Sequence, residues 1–234
     1  MNDYLLFIDT EASGLPVNWK LPYSAEGNWP SAVQVSWIVY TKDGQEVKRE
    51  NHYIRNDDFF ITPKAMEIHG INPGFLAVKG EVRKDVIAML AADLNQYQPL
   101  VIGHFIQLDY HILGADFYRA GIDNPLVNLP MFCTMTATTQ LAWTPMQRSL
   151  RLGDLYAYLF YKPQEKQHDA AADAQATADC FFELLNRREI TERSIHQQQQ
   201  TTVKSIKTAI GTMLSLAVSF IVLVLIILIA NRHL

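Results

Sequence analysis

Four carboxylates and one imidazole stand out from ordinary surface charge in this sequence: Asp9, Glu11, Asp109, Asp173 and His168. Asp9-Thr10-Glu11 follows the apolar run LLFI, and in an extended segment residues i and i+2 point to the same side, so both acids can reach one ion. An unpaired charge at the buried end of an apolar strand is expensive, and a divalent cation would offset it. The alternative for this pair is an exposed turn with two solvated acids. Asp109 follows a second apolar run, Leu100 to Gly103, in GHFIQLDYHIL, and in α/β sheets ligands gather outside that edge. Asp173 lies in HDAAADA, where small residues let a helix approach a sheet. On one continuous helix His168 and Asp173 would diverge by about 140°. They share a site only if His168 sits in the loop ahead of the helix with Asp169 near its N-cap; otherwise His168 is a surface histidine.

The elements that must position these groups are legible in outline. Tyr4 to Ile8, Ala32 to Tyr40 and Val47 to Ile54 read as three opening strands, antiparallel, with a turn at Lys42-Asp43-Gly44. A short helix runs from Pro63 to near Gly70, and Glu81 to Tyr97 repeats apolar residues at helical spacing. A fourth strand, Leu100 to Gly103, leads to a helix from about Leu108 to Gly121, and two more helices fit Leu152 to Tyr161 and Ala170 to Asn186. This succession of strands and helices predicts an α/β domain with a mixed sheet covered by helices. Val17 to Pro30, with Trp19 and Trp29, interrupts the first two strands as a long loop, and long loops are often functional.

With 49% hydrophobic and 19% charged residues among 234, the chain has the apolar content of a folded domain. Cys133 and Cys180 make neither a disulfide framework nor a Cys-x-x-Cys site and suit a reducing compartment. Residues 1–190 carry 16 basic and 23 acidic side chains, residues 191–234 four and one. An acidic domain with a basic tail lacks the positive footprint of a protein that coats nucleic acid. His104, Asp109 and His111 read as local hydrogen-bonding groups rather than an imidazole metal site. Ser13 is no hydrolase elbow, since the glycine required two residues earlier is Glu11.

Residues 213–230, MLSLAVSFIVLVLIILIA, carry no charge, amide or proline. As a helix they extend about 27 Å, and with residues 209–212 about 33 Å, which matches a hydrocarbon core. The expectation is a membrane span over 209–230, a polar linker or stalk over 189–208, and a short tail over 231–234. Lys204 and Lys207 before the span place the domain, residues 1–188, on the cytosolic side. The first residues lack the basic region of a secretory signal.

In order and context these segments resemble the DEDDh 3′–5′ exonucleases, the ribonuclease H-like group of proofreading subunits, ribonuclease T and oligoribonuclease. FIDTEASGL is similar to the first motif, VIGHFIQLDYHIL to the second and HDAAADAQATADCFFELL to the third. MEIHGI, at Met66 to Ile71, is similar to the family's His-Gly-Ile segment, and RLGDLYAYLF to the helix before the third motif. The likeness spans about residues 3–186. It implies a ribonuclease H-like fold, with Asp9, Glu11, Asp109 and Asp173 as ligands of two Mg²⁺ or Mn²⁺ and His168 as general base. Thr10, Ala12, Leu15 and His69 become substrate-binding candidates, although Leu15 also reads as core and His69 as a helix C-terminal residue. Two positions depart from the pattern: Phe105 and Leu108 stand where the family usually has Asn and Phe, and neither is a metal ligand. The Val17–Pro30 loop is longer than in the shortest members.

The implied activity is hydrolysis from the 3′ end of single-stranded nucleic acid, releasing nucleoside 5′-monophosphates, by an enzyme held to membrane lipid through its C-terminal helix. Two divalent cations would bring the −7 of residues 1–190 to about −3 and focus positive field at the phosphate. Oxygen-only ligation fits Mg²⁺ or Mn²⁺. An oligoribonuclease-like action on short RNA and a catalytically silent membrane-recruitment module are the competing readings; the second calls for a missing acid or histidine, and none is missing.

Overall fold

The computed structural model describes residues 2–139, 141 and 149–199. One compact unit spans Met1–Thr191, built on a five-stranded sheet of order β3-β2-β1-β4-β5. Strands β1 (Tyr4–Ala12), β2 (Ala32–Thr41) and β3 (Glu46–Tyr53) form an antiparallel meander, while β4 (Leu100–Gly103) and β5 (Met131–Cys133) add in parallel on the other side of β1. The sheet is therefore mixed, as expected, and β1 lies at its centre.

Strand β1 runs four residues further than its apolar segment. Acidic residues are poor strand formers, yet Asp9 pairs with Ser36 and Glu11 with Gln34 in the ladder to β2, before a bulge at Glu11/Ala12. Ladder hydrogen bonds hold the acids extended where propensity alone would release them.

The faces of the sheet follow the period-two rule. Leu6 and Ile8 join Trp37, Val86, Leu90, Ile112 and Phe117 in a core with α3 (Arg83–Tyr97) and α4 (Ile106–Ala120). Phe7 points to the opposite face, its ring 5.5 Å from Phe181 of α7 (Ala170–Asn186). Ala170, Ala174 and Ala178 of α7 are wholly buried, which brings the helix backbone close to the sheet. Helix α6 (Leu152–Phe160) packs beside α7.

Besides a 3-10 turn at Pro125–Asn128, three elements among the described residues lie outside the expected order. Strand β5 is only three residues long, too short for alternation to register. Helix α2 (Pro73–Lys79) follows α1 (Pro63–His69) and starts at an Asn-Pro pair that reads as a turn; Asn72 instead caps it by accepting from the Phe75 N–H at 2.9 Å. Helix α5 (Thr134–Thr138) is a single short turn after β5. Helix α4 begins two residues earlier than its apolar pattern suggested.

Residues 192–199, within the expected polar stalk, are helical. No helix among the described residues is long and apolar enough to cross a membrane. The expected span over 209–230, residues 200–208 of the stalk and the tail over 231–234 lie outside the described residues.

Candidate active site

The carboxyl ends of β1 and β4 and the amino end of α7 meet at one edge of the sheet. Asp9 and Glu11 share the face of Phe7 and therefore look toward α7, where Asp173 occupies the first turn. Thr10 points the other way, toward α4. Its backbone N–H and hydroxyl both donate to Oδ1 of Asp109, at 2.9 and 2.8 Å, and fix that carboxylate in the first turn of α4. Thr10, a substrate-binding candidate, is thus committed to orienting an acid.

His168 lies in the loop before α7 with φ of 63°, a left-handed conformation uncommon for a residue with a side chain. Asp169 is the N-cap of α7, accepting from the N–H groups of Ala171 and Ala172 at 3.1 Å. This kink resolves the angular problem: the His168 N–H donates to Oδ2 of Asp173 at 3.2 Å and its imidazole stays exposed. Ligand atoms of Glu11, His168 and Asp173 all lie within 4.8 Å of one another.

Electrostatics bind Asp9 and Asp109 to the same cluster. Burial pushes the Asp9 carboxyl well above its usual range, and the charges of Asp109, Asp173, Glu11 and Asp169 push it further. Glu11 is raised to about 8 by burial and then by Asp173, Asp109 and Asp169. Asp109 is raised to about 7 by burial, against the Thr10 hydrogen bonds that favour its charged form. Asp173 is raised by burial, against a bond from Gln164. Four crowded acids that resist ionisation, with oxygen atoms as their donors, are suited to a hard divalent cation such as Mg²⁺ or Mn²⁺.

Two glutamines complete the frame and carry no signal in the sequence. The Gln164 side-chain amide donates to Oδ1 of Asp173, and its own Oε1 is buried without a partner among the described residues. Gln34 on β2 accepts from the Ala170 N–H at 3.2 Å, tying the start of α7 to the sheet.

Of the remaining candidates, His69 lies within electrostatic reach of His168. Leu15 is 75% exposed and so is no core residue. It borders a groove of about 570 Å³ lined also by Val17, Trp29, Phe60 and Tyr118; none of the four acids lines it. Ala12 ends β1. His69 is the last residue of α1; its Nδ1 accepts from the Ile71 N–H at 3.0 Å, so Nε2 carries the proton of the neutral ring, and burial lowers its pKa. Nε2 itself is buried without a well-formed hydrogen bond among the described residues.

His104 and His111 do not converge on Asp109. His104 pairs with Thr134 Oγ1 and the Leu150 carbonyl, and burial lowers its pKa to about 4. His111 pairs through Nδ1 with the Tyr23 hydroxyl at 3.0 Å.

A mixed sheet flanked by helices, with clustered acids and a loop histidine at the ends of its central strands, defines a ribonuclease H-like nuclease. Residues 6–181 match the sequence profile of the RNase T exonuclease family, and the chain belongs to that family. It is similar in fold to Escherichia coli Exonuclease I in complex with a dT13 oligonucleotide, with 21% identity and a TM-score of 0.65 over 80% of this chain and 42% of that one. The zinc-bound form of the E. coli Exonuclease I complex with single-stranded DNA aligns at 19% identity and a TM-score of 0.65, over 85% of this chain and 43% of that one. This chain therefore corresponds to less than half the length of those proteins. No curated protein sequence matches it significantly.

Proposed function

We propose that the protein is a metal-dependent 3′–5′ exonuclease that removes nucleoside 5′-monophosphates from single-stranded nucleic acid while tethered to a membrane. The observation that carries this reading is the convergence of Asp9, Glu11, Asp109 and Asp173 with the exposed imidazole of His168 at one sheet edge. When bound by those four acids, two divalent cations would supply Lewis acidity at the attacking and leaving oxygens.

The chain's own residues do the rest. Thr10 holds Asp109, and Gln164 with the His168 N–H holds Asp173, so the acids keep fixed positions between turnovers. The exposed His168 imidazole takes the proton of the attacking water, the proton-transfer role histidine fills most often. The new P–O bond forms as the P–O3′ bond breaks, and the departing 3′ oxygen is protonated from solvent. By the family likeness, Leu15 and His69 would pack against the terminal nucleotide. Single-stranded DNA is the favoured substrate, because the oligonucleotides of the similar Exonuclease I complexes are single-stranded DNA.

The test is hydrolysis of 3′-labelled and 5′-labelled DNA and RNA oligonucleotides in Mg²⁺, Mn²⁺ or EDTA. Release of labelled mononucleotide first from the 3′ end, lost in EDTA, is expected. Faster action on short RNA would shift the substrate to the oligoribonuclease type, and no hydrolysis with either cation would refute the reading.

A further inference from the structure

The Val17–Pro30 loop folds onto α4 through two layers of aromatic rings. In the inner layer Trp29, 5% exposed, stacks on His111 with centroids 4.9 Å apart and planes 16° from parallel. Tyr23 bonds the same imidazole and lies against Gly114, where a Cβ would come within 2.5 Å of its ring. The loop is pinned further by the Trp29 indole N–H donating to the Leu21 carbonyl at 3.1 Å and by Arg119 donating to the Pro30 carbonyl at 3.0 Å.

The outer layer is different. Trp19 lies 5.7 Å edge-on to His111 and 6.2 Å from Phe105 at a 48° tilt, yet 38% of Trp19 and 36% of Phe105 remain exposed. Phe105 precedes Asp109 by four residues and caps α4 in a left-handed conformation, φ 68°, which is costly for a bulky side chain. That turn lets His104 point inward to Thr134 while Phe105 faces Trp19. Two open aromatic faces thus stand one helical turn from a catalytic acid, supported by a rigid layer beneath.

We propose that Trp19 and Phe105 form a stacking platform for one unpaired base on the 5′ side of the scissile phosphate. This rests on the exonuclease reading and assigns its strand-binding element. Every nucleobase has a π-face, so such a platform is tolerant of sequence but needs a base free of duplex stacking. An acidic domain gains little from phosphate attraction, and stacking supplies the grip that charge does not.

The test uses the full-length protein with two substrates, a single-stranded oligonucleotide and thymidine 5′-(p-nitrophenyl phosphate), which offers one nucleotide and no upstream base. Trp19→Leu and Phe105→Leu keep apolar bulk and remove the π-face. KM for the oligonucleotide should rise roughly 5- to 100-fold, the span for losing one base–aromatic stack, with kcat within about twofold and the nitrophenyl ester unaffected. Trp19→Phe should restore most of the affinity. An abasic site at one of the second to fourth nucleotides from the 3′ end should weaken wild type equally, and Trp19→Leu should add nothing to it. Wild-type protein in Ca²⁺ should also photocross-link a 5-iodouracil at that position to Trp19 or Phe105. Unchanged KM, equal loss on both substrates, additivity at every abasic position, or cross-links only elsewhere would overturn the platform. Failure of wild type to cleave either substrate would instead refute the exonuclease reading.

Discussion

Thr10 and Asp109, 99 positions apart in sequence, are joined by two hydrogen bonds to one carboxylate oxygen, from the Thr10 N–H at 2.9 Å and its hydroxyl at 2.8 Å. The pair locks the end of β1 to the first turn of α4. Thr10→Val keeps the shape and the N–H bond but removes the hydroxyl. Loss of a buried bond to a charged group costs about 1.5–3 kcal/mol, so the cation-loaded protein should melt lower and bind Mn²⁺ more weakly. Calorimetry showing both quantities unchanged would contradict the orienting role.

Asp9→Asn should separate stability from activity. The raised pKa of Asp9 reflects burial and then its acidic neighbours, so a neutral amide relieves the cluster. In EDTA at pH 8 the variant should be more stable than wild type, while hydrolysis falls at least about 10²–10³-fold. Full activity at saturating Mg²⁺ would remove Asp9 from the site.

The cluster also sets a pH dependence. Glu11 at about 8 and Asp109 at about 7 lie above the ordinary carboxylate range, so the folded state holds protons that the unfolded chain releases. Their contribution is fully present below about pH 4 and is lost as pH rises toward 8, by up to about 1.4 kcal/mol per pH unit for each proton involved. Thermal melts in EDTA should therefore fall from pH 5 to 8. Excess Mg²⁺ should flatten or reverse the slope, because cations bind the ionised form. A Tm rising with pH in EDTA would refute this account.

His168→Ala should lower turnover about 10²–10⁴-fold, the usual loss for a general base, with cation binding nearly intact. Titration showing that the variant loses a cation site would make His168 a ligand instead, a role its closeness to Glu11 and Asp173 allows geometrically.

The membrane tether is tested by fractionation. Full-length chain should stay with membranes until detergent is added, and deletion of residues 208–234 should release an active enzyme, since the apolar run lies entirely within that segment. Full-length protein recovered in the aqueous fraction without detergent would rule the tether out.

Much of the site's local chemistry is readable from residue types and spacing. The i, i+2 placement of Asp9 and Glu11, the acid after Leu100–Gly103, and the loop-then-helix reading of His168 to Asp173 depend on backbone periodicity and capping, which act over a few residues. The antiparallel meander and the span of α7 follow from the same short-range rules. Tertiary structure alone decided what lies far apart in sequence. Only the parallel pairing of β1 with β4, and α7 laid across β1, bring Asp109 and Asp173 to Asp9. Burial of the assembled cluster, absent in any short peptide, raises the acid pKa values. Thr10, Gln164 and Gln34 gain their roles from partners supplied by other elements. Trp19 meets Phe105 because the loop docks on α4 through Tyr23 and Gly114, a steric fit that no periodicity encodes.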